Sequence, residues 1–387
     1  MPNPSGTDNQ VGTDSATRAE RLRVAILSDA APERNGVGAY YRDLADHLKA
    51  RGARVELIAP RYHAGNWHGG CRLPLPGDPT QKILIPSWSR IRDRLDRLAP
   101  NVMVIPTPGP YGLLGLYLAG RRDLRVVVGF HTHFEALTDL FQGWGLGARI
   151  ANAYLRTCHR LLFKRSHLVL ANSTQMMEIA RTMGAQQVGL MATPIPKPFL
   201  DRPPVATSSG FKRILFAGRL APEKNLDAIV EAARRLPDLE FLIVGDGPLK
   251  PWLQARSSAL ENLTLIGWAK RARILALIDS ADALVLPSKV ESFGTIALEA
   301  MARARPVLVS SACGILSWDV LSRGLFQIRA DEHLADALAR LRDLDPAIRE
   351  HRSRIARAAA IELNERNLEH WIAVLGDSQE PALHVQR

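Results

Sequence analysis

The sequence predicts an α/β protein of two domains, each a doubly wound parallel sheet, with the strand ends of both facing one central cleft. Three observations lead there. Short apolar runs rich in Val, Ile and Leu alternate with longer amphipathic stretches, as parallel strands buried on both faces alternate with helices. The alternation occurs twice, on either side of a proline-rich break. A chain of 387 residues also exceeds what one hydrophobic core usually organises.

In chain order, residues 1–20 are polar and without period, and predict a disordered lead-in. They lack the basic-then-apolar pattern of a secretory signal. Residues 21–192 form the first domain. "LRVAILSDA" is a buried strand, and "GAYYRDLADHLKARG" is a helix with Tyr40, Leu44 and Leu48 on one face and Gly52 past its end. "ARVELIAP", "NVMVIPT", "LRVVVGFHT" and "SHLVLANS" continue the strands. Residues 193–210, "TPIPKPFLDRPPVATSSG", read as a linker. Residues 211–360 repeat the pattern with "KRILFAGRL", "LEFLIVGDG", "LTLIGW" and "ADALVLPS" as strands and "KNLDAIVEAARRL" as a helix. Residues 361–387 are expected to carry a helix, "LEHWIAVL", back to the first domain, followed by a tail. Two such Rossmann-like halves bind ligands at the carboxyl ends of their strands, in the cleft between them.

Composition narrows the class. Hydrophobic residues at 46% and charged residues at 23% are those of a soluble globular protein. Cys71, Cys158 and Cys313 are too few and too scattered for a disulfide framework or a zinc knuckle, and suit a reducing cytoplasm. No apolar run reaches membrane-spanning length. The net charge of +11 is uneven: residues 1–200 hold 25 Lys/Arg against 15 Asp/Glu, residues 201–387 hold 25 against 24. Either the first half meets an anionic partner, or it carries an Arg-rich solvated surface.

The loops after the second-half strands carry the candidate chemistry. In "FAGRLAPEKN", Gly218 allows a tight turn and places Arg219 and Lys224 before a helix start, where cations, backbone N–H groups and the helix dipole can hold a phosphate. "GDGP" is a turn in which Gly245 and Gly247 let a ligand approach the backbone. In "ESFGTIALE", Glu291 lies in a loop and Glu299 just over one turn into the following helix. Both carboxylates can face one ligand, and a carboxylate accepts bidentately from vicinal hydroxyls. The alternative for each is a loop or surface charge, although Glu299 stands among Leu298, Ala300 and Met301, a poor setting for a solvated acid.

Taken together, "AGRLAPEKN", "VGDGP", "ADALVLPSKVESFG" with its E-x7-E spacing, and "ARPVLVSSACG" resemble, in order and spacing, the retaining glycosyltransferases of the GT-B fold, family 4 type. The first half joins the resemblance through "PERNGVGAYYRDLADHLKARGARVELIAP" and "VVVGFHTHF", wording shared with lipid-glycosylating members. The resemblance implies a hexose transferred from a nucleoside-diphosphate sugar to an acceptor hydroxyl of a lipid or glycan precursor. Arg219 and Lys224 would neutralise the donor diphosphate, and Glu299 would hold the ribose hydroxyls. Glu291 and the Phe293–Gly294–Thr295 backbone would hold the donor sugar and phosphate. Gly36 would sit against the diphosphate, and His131 would approach the transferred sugar. Cations and helix N-termini stabilise the leaving group, so no metal and no cofactor beyond the nucleotide sugar is expected. Nucleic acid is not expected as a partner.

Some positions depart from the family pattern: Asn35, Ala304, the "LMATPIPKPF" segment and "SWDVLSRGLFQI". Other readings compete. Gly36 and Gly38 hint at a dinucleotide site, but Tyr41 stands where the third glycine belongs. His131 and His133 lack a third metal ligand. A nucleotide-sugar epimerase and a catalytically weak sugar-nucleotide-binding protein share the architecture. Last, Leu146–Arg165 predicts an amphipathic helix with Ile150, Tyr154, Cys158 and Leu161 on one face and Arg149, Arg156, Arg160 and Lys164 on another. It could rest on an anionic bilayer, making the protein cytoplasmic and peripheral on the inner membrane face, or pack on the core with a solvated basic face.

Overall fold

A computed structural model of the chain describes residues 17–33, 36–63, 66–68, 72–75, 78–131, 146–205 and 210–376. Asn35, His133 and the outer parts of the lead-in and tail lie outside them. The first domain contains strands β1 (Arg23–Leu27), β2 (Arg54–Ile58), β3 (Arg61–His63), β4 (Asn66–His68), β5 (Arg72–Leu75), β6 (Asp78–Leu84), β7 (Val102–Ile105), β8 (Arg125–Phe130), β9 (Leu168–Ala171) and β10 (Val188–Leu190). Its helices are α1 (Gly36–Ala50), α2 (Trp88–Leu98), α3 (Pro110–Arg121), α4 (Leu146–Arg165) and α5 (Thr174–Thr182). The six-stranded sheet runs β10-β9-β8-β7-β1-β2, all parallel. Strands β3–β4 and β5–β6 form two small antiparallel pairs that the helix–strand alternation does not announce.

After α6 (Lys197–Asp201), the second domain contains β11 (Arg213–Ala217), α7 (Leu226–Arg235), β12 (Glu240–Val244), α8 (Lys250–Ser257), β13 (Leu263–Gly267), α9 (Arg271–Ser280), β14 (Ala283–Leu286), α10 (Thr295–Ala302), β15 (Val307–Val309), α11 (Asp319–Ser322), β16 (Phe326–Gln327), α12 (Leu334–Asp343) and α13 (Pro346–Leu375). Its sheet runs β13-β12-β11-β14-β15-β16, again parallel. In each sheet the strand order reverses beside the first strand, at β1/β7 and at β11/β14. The loops leaving those strands diverge and open a crevice, which is where doubly wound sheets bind ligands. In the first sheet Asp29, just past β1, closes that crevice with protein groups. Its carboxylate accepts from Thr107 Oγ1 (2.7 Å), Gly109 N (3.0 Å), Tyr111 N (2.7 Å) and Gly112 N (3.2 Å), capping α3. Burial, partly offset by these bonds, lifts Asp29 to about 6. In the second sheet the crevice is left open.

Four expectations need revision. Residues 17–20 of the supposed lead-in are helical, and Ala19 is buried in the first-domain core. The linker is not loose. Ile195 and Phe199 are fully buried, α6 interrupts the segment, and the backbone N–H groups of Ala192 and Ile195 donate to Asn367 Oδ1 (2.9 Å) and Asn364 Oδ1 (2.8 Å) of α13. Residue 360 marks no break. The 30-residue helix α13 is continuous, with Leu363 in the second core and Leu368, Trp371 and Ile372 in the first. In α4 the buried face is Cys158, His159, Leu162 and Phe163, while Tyr154 and Leu161 are exposed beside Arg156, Arg160 and Lys164. Phe130 and Phe163 pack edge-to-face at 5.1 Å and set this rotation. The side chains of Arg149 and Ile150 lie outside the described residues.

Ala304, the departure from the family's glycine, sits at φ 53° in the left-handed region. A Cβ there is strained, and glycine relieves the strain at some cost in unfolded-state entropy. Ala304→Gly is therefore expected to raise stability by about 0.5–1 kcal/mol. Denaturant titration of the two proteins checks this, and an unchanged or lower midpoint would contradict it.

Candidate functional site

The crevice at β11/β14 is built from two loops tied to each other. The loop after β11 ends in a 3-10 turn, Pro222–Lys224, stopped by Asn225 at φ 54°. Asn225 Nδ2 donates to Pro287 O (3.1 Å), and Lys289 N donates to Glu223 O (2.8 Å), so the loop after β14 is pinned to it. This cross-bracing directs Lys224 at Glu291: Nζ lies 2.6 Å from Oε2, both side chains largely buried. Burial alone would lower the Lys224 pKa, but Glu291 and Glu223 outweigh it and the net shift is upward, so the ammonium stays charged. Arg219 approaches buried Glu223 at 3.5 Å. α10 starts after Gly294, whose φ of +97° a side chain would resist and which, as the N-cap, has no side chain to cap the first turn. The free end of that helix therefore presents N–H groups toward the crevice.

Gly36, Arg219, Lys224, Gly245, Glu291 and Thr295 surround one cavity of about 400 Å³. Glu299 lines the wider interdomain cleft, about 1050 Å³, which shares Gly36, Gly218 and Thr295 with the first. Gly245 and the predicted residues outside these walls also make contacts within the protein. A Cβ at Gly245 would meet Gly218 O at 1.8 Å and one at Gly247 would meet Leu220 O at 2.5 Å; with φ near +155° both glycines let the loop after β12 lie on the loop after β11. Phe293 is buried against Trp318, their ring centroids 6.3 Å apart. Gly294 lines neither cavity. His131 Nε2 contacts Tyr41 Oη at 2.9 Å, and its ring lies between Tyr40 and Tyr41 outside both cavity walls. Burial depresses His131 to about 3, which keeps it neutral.

Several lining residues escaped the sequence reading. Trp268 is 42% exposed and walls both cavities with a flat apolar face. Arg271 Nη2 bonds both Asp43 Oδ2 (2.7 Å) from the first domain and Glu299 Oε1 (2.6 Å). Burial raises the Glu299 pKa, opposed by Arg271 and Arg42. Burial raises Asp43 to about 7, opposed by Arg271 and reinforced by Glu299. Signals existed for both. Arg271 follows "LTLIGW" at a strand's carboxyl end, and Asp43 falls three residues after Tyr40 on the apolar stripe of α1, where a solvated acid would not belong.

The family model for Glycosyl transferases group 1 matches residues 200–361, and that for Glycosyltransferase Family 4 matches residues 34–192. A GDP-mannose-dependent alpha-mannosyltransferase of Mycolicibacterium smegmatis is 30% identical over 311 residues, 76% of this chain and 80% of the relative. An alpha-monoglucosyldiacylglycerol synthase of Acholeplasma laidlawii is 24% identical over 74% of this chain and 80% of its own length. Among solved structures, sucrose-phosphate synthase from Thermosynechococcus elongatus is similar with a TM-score of 0.70 at 18% identity, covering 91% of this chain and 98% of that one. WaaG, a glycosyltransferase involved in lipopolysaccharide biosynthesis, follows at 0.63 and 17%, covering 92% and 100%.

Proposed function

We propose, for a chain that belongs to the group 1 glycosyltransferases and has the GT-B fold, a retaining transfer of a hexose from a nucleoside-diphosphate sugar to an acceptor hydroxyl. One observation carries this reading: two cations and a helix start converge on a single cavity beside the interdomain cleft. When the anomeric carbon–oxygen bond breaks, negative charge grows on the departing diphosphate. Arg219, Lys224 and the start of α10 are already fixed around that position, so they stabilise the charge without reorganising. The same groups serve in place of a metal. Glu299 accepts from the ribose hydroxyls, Trp268 offers a face to the base, and Glu291 holds the sugar while also positioning Lys224.

The mannosyltransferase relative is named for GDP-mannose, which makes that donor the first to try. A thermal-shift screen of GDP- and UDP-sugars is expected to raise the melting temperature with one of them, because a bound donor stabilises by mass action. Donor hydrolysis or transfer by the same protein then separates an enzyme from a binding protein, which would show the shift without turnover. Absence of any shift would remove the donor assignment.

For the acceptor, the first domain supports a membrane lipid. Trp88 and Tyr117 are exposed with ring centroids 5.3 Å apart, and Tyr154 and Leu161 emerge among the arginines of α4. Aromatic and basic groups together suit the headgroup layer of an anionic bilayer. Among the described residues no helix is long and apolar enough to cross a membrane, and the attachment proposed is peripheral. The protein is expected to co-sediment with anionic vesicles at low salt and to be released as salt rises. Indifference to anionic vesicles at low salt would favour a water-soluble acceptor.

A further inference from the structure

Arg271 stands where the two domains meet. It leads α9 of the second domain, yet its Nη2 serves one acid from each domain, Asp43 of α1 and Glu299 of α10. The acids are almost closed to solvent, with side chains 9% and 6% exposed against 25% for Arg271. Asp43 lines neither cavity, whereas Arg271 and Glu299 both line the cleft. Arg271 Nε is buried with no partner among the described residues, and its guanidinium lies 6.0 Å from the Phe199 ring, so packing as well as charge holds it.

We propose that Asp43 and Arg271 are positioning residues for Glu299: Asp43 anchors Arg271 across the domain boundary, and Arg271 holds the Glu299 carboxylate aimed and ionised for the ribose hydroxyls of a nucleoside diphosphate. This rests on the reading of Glu299 given above. An ionised carboxylate accepts hydroxyl hydrogen bonds about twice as strongly as a neutral one. A buried acid stays ionised when a cation or hydrogen-bond donors stand beside it, and here the charge that favours ionisation is chiefly Arg271, with Arg42 contributing. Arg271 in turn is a long side chain that one acid alone would hold loosely. The acid in the opposite domain holds the same Nη2 from a second side, and lysine, whose stem ends short of that nitrogen and whose ammonium is a compact point charge, would not sit between both acids. Recognition of the nucleotide by the second domain thus depends on a residue of the first.

The test uses the full-length protein, calorimetry, and four probes: GDP, UDP and their 2′,3′-dideoxy forms. Wild type is expected to bind GDP or UDP more tightly than the matching dideoxy compound. Asp43→Asn should weaken the ribonucleotide about tenfold, the value of one charge-assisted hydrogen bond, and leave the dideoxy form unchanged. Arg271→Lys should do the same, and Asp43→Asn should add nothing to it, while Asp43→Glu should recover part of the loss. Equal loss for ribo and dideoxy forms would mean general damage to the site and overturn the proposal, as would wild-type binding by Asp43→Asn. Should that variant fail to fold, Arg271→Lys carries the same comparison. Glu299→Gln separates the two readings. If it leaves ribonucleotide binding intact, or if wild type ignores the ribose hydroxyls or binds neither GDP nor UDP, the ribose assignment fails and takes this proposal with it. If it weakens ribonucleotide binding and Asp43→Asn does not, only the relay fails.

Discussion

Lys224→Ala is expected to lower kcat by about 10²–10³-fold at saturating donor, the usual loss when one preorganised group facing a developing anion is removed. Two effects act in the same direction. The ammonium proposed to meet the diphosphate disappears, and Glu291, 2.6 Å away in the native protein, is left as an uncompensated carboxylate in the wall of the cavity. That charge would repel the leaving group. Glu291→Gln introduced into Lys224→Ala should therefore recover part of the lost rate, although by itself it removes a useful contact. Steady-state rates of the single and double variants check both statements. A wild-type kcat for Lys224→Ala would remove Lys224 from the diphosphate site, and an additive double variant would show that the pair does not act as a unit.

Arg303→Met is expected to cost about 3–5 kcal/mol of stability, the penalty for breaking a buried ion pair from one side. Arg303 is 1% exposed. Its guanidinium meets both oxygens of Asp279, at 2.7 and 3.1 Å, and the carbonyls of Phe199 (3.2 Å), Arg202 (2.5 Å) and Pro203 (2.7 Å). Methionine fills the volume but leaves one carboxylate and three carbonyls without that donor. Arg303→Lys should rescue little, because three donors on a flexible stem cannot match a planar fork aimed at five acceptors. Urea unfolding of the three proteins decides the matter, and a Met variant with an unchanged midpoint would show that the Arg303 strap on residues 199–203 is not needed for stability.

The residues of the candidate site were unequally legible in the sequence. Arg219, Lys224, Glu291 and Thr295 stand at the carboxyl ends of predicted strands, and the turn residues between them are local in sequence. Gly245 and Gly247 were legible as glycines, and Gly245 does line the cavity, but the close approach both permit to Gly218 and Leu220 of a neighbouring loop was not legible. His131 is a strand-end histidine in sequence, while in the fold Tyr41 claims its ring.

Hydrophobic period by itself determined the two sheets, their parallel sense and the loops that carry the cations, because a strand buried on both faces and a helix buried on one leave different spacings in a few consecutive residues. Tertiary structure alone decided which face of α4 is buried, since Phe130 on a strand, not the helix's own pattern, chooses among its apolar residues. It decided that the proline-rich segment is strapped down, because the straps are arginines about 100 residues away in the chain. It also decided the Asp43–Arg271–Glu299 bridge, whose first contact joins residues 228 apart. Charges contributed by two different domains leave no periodicity in either, so their partnership exists only in the assembled molecule.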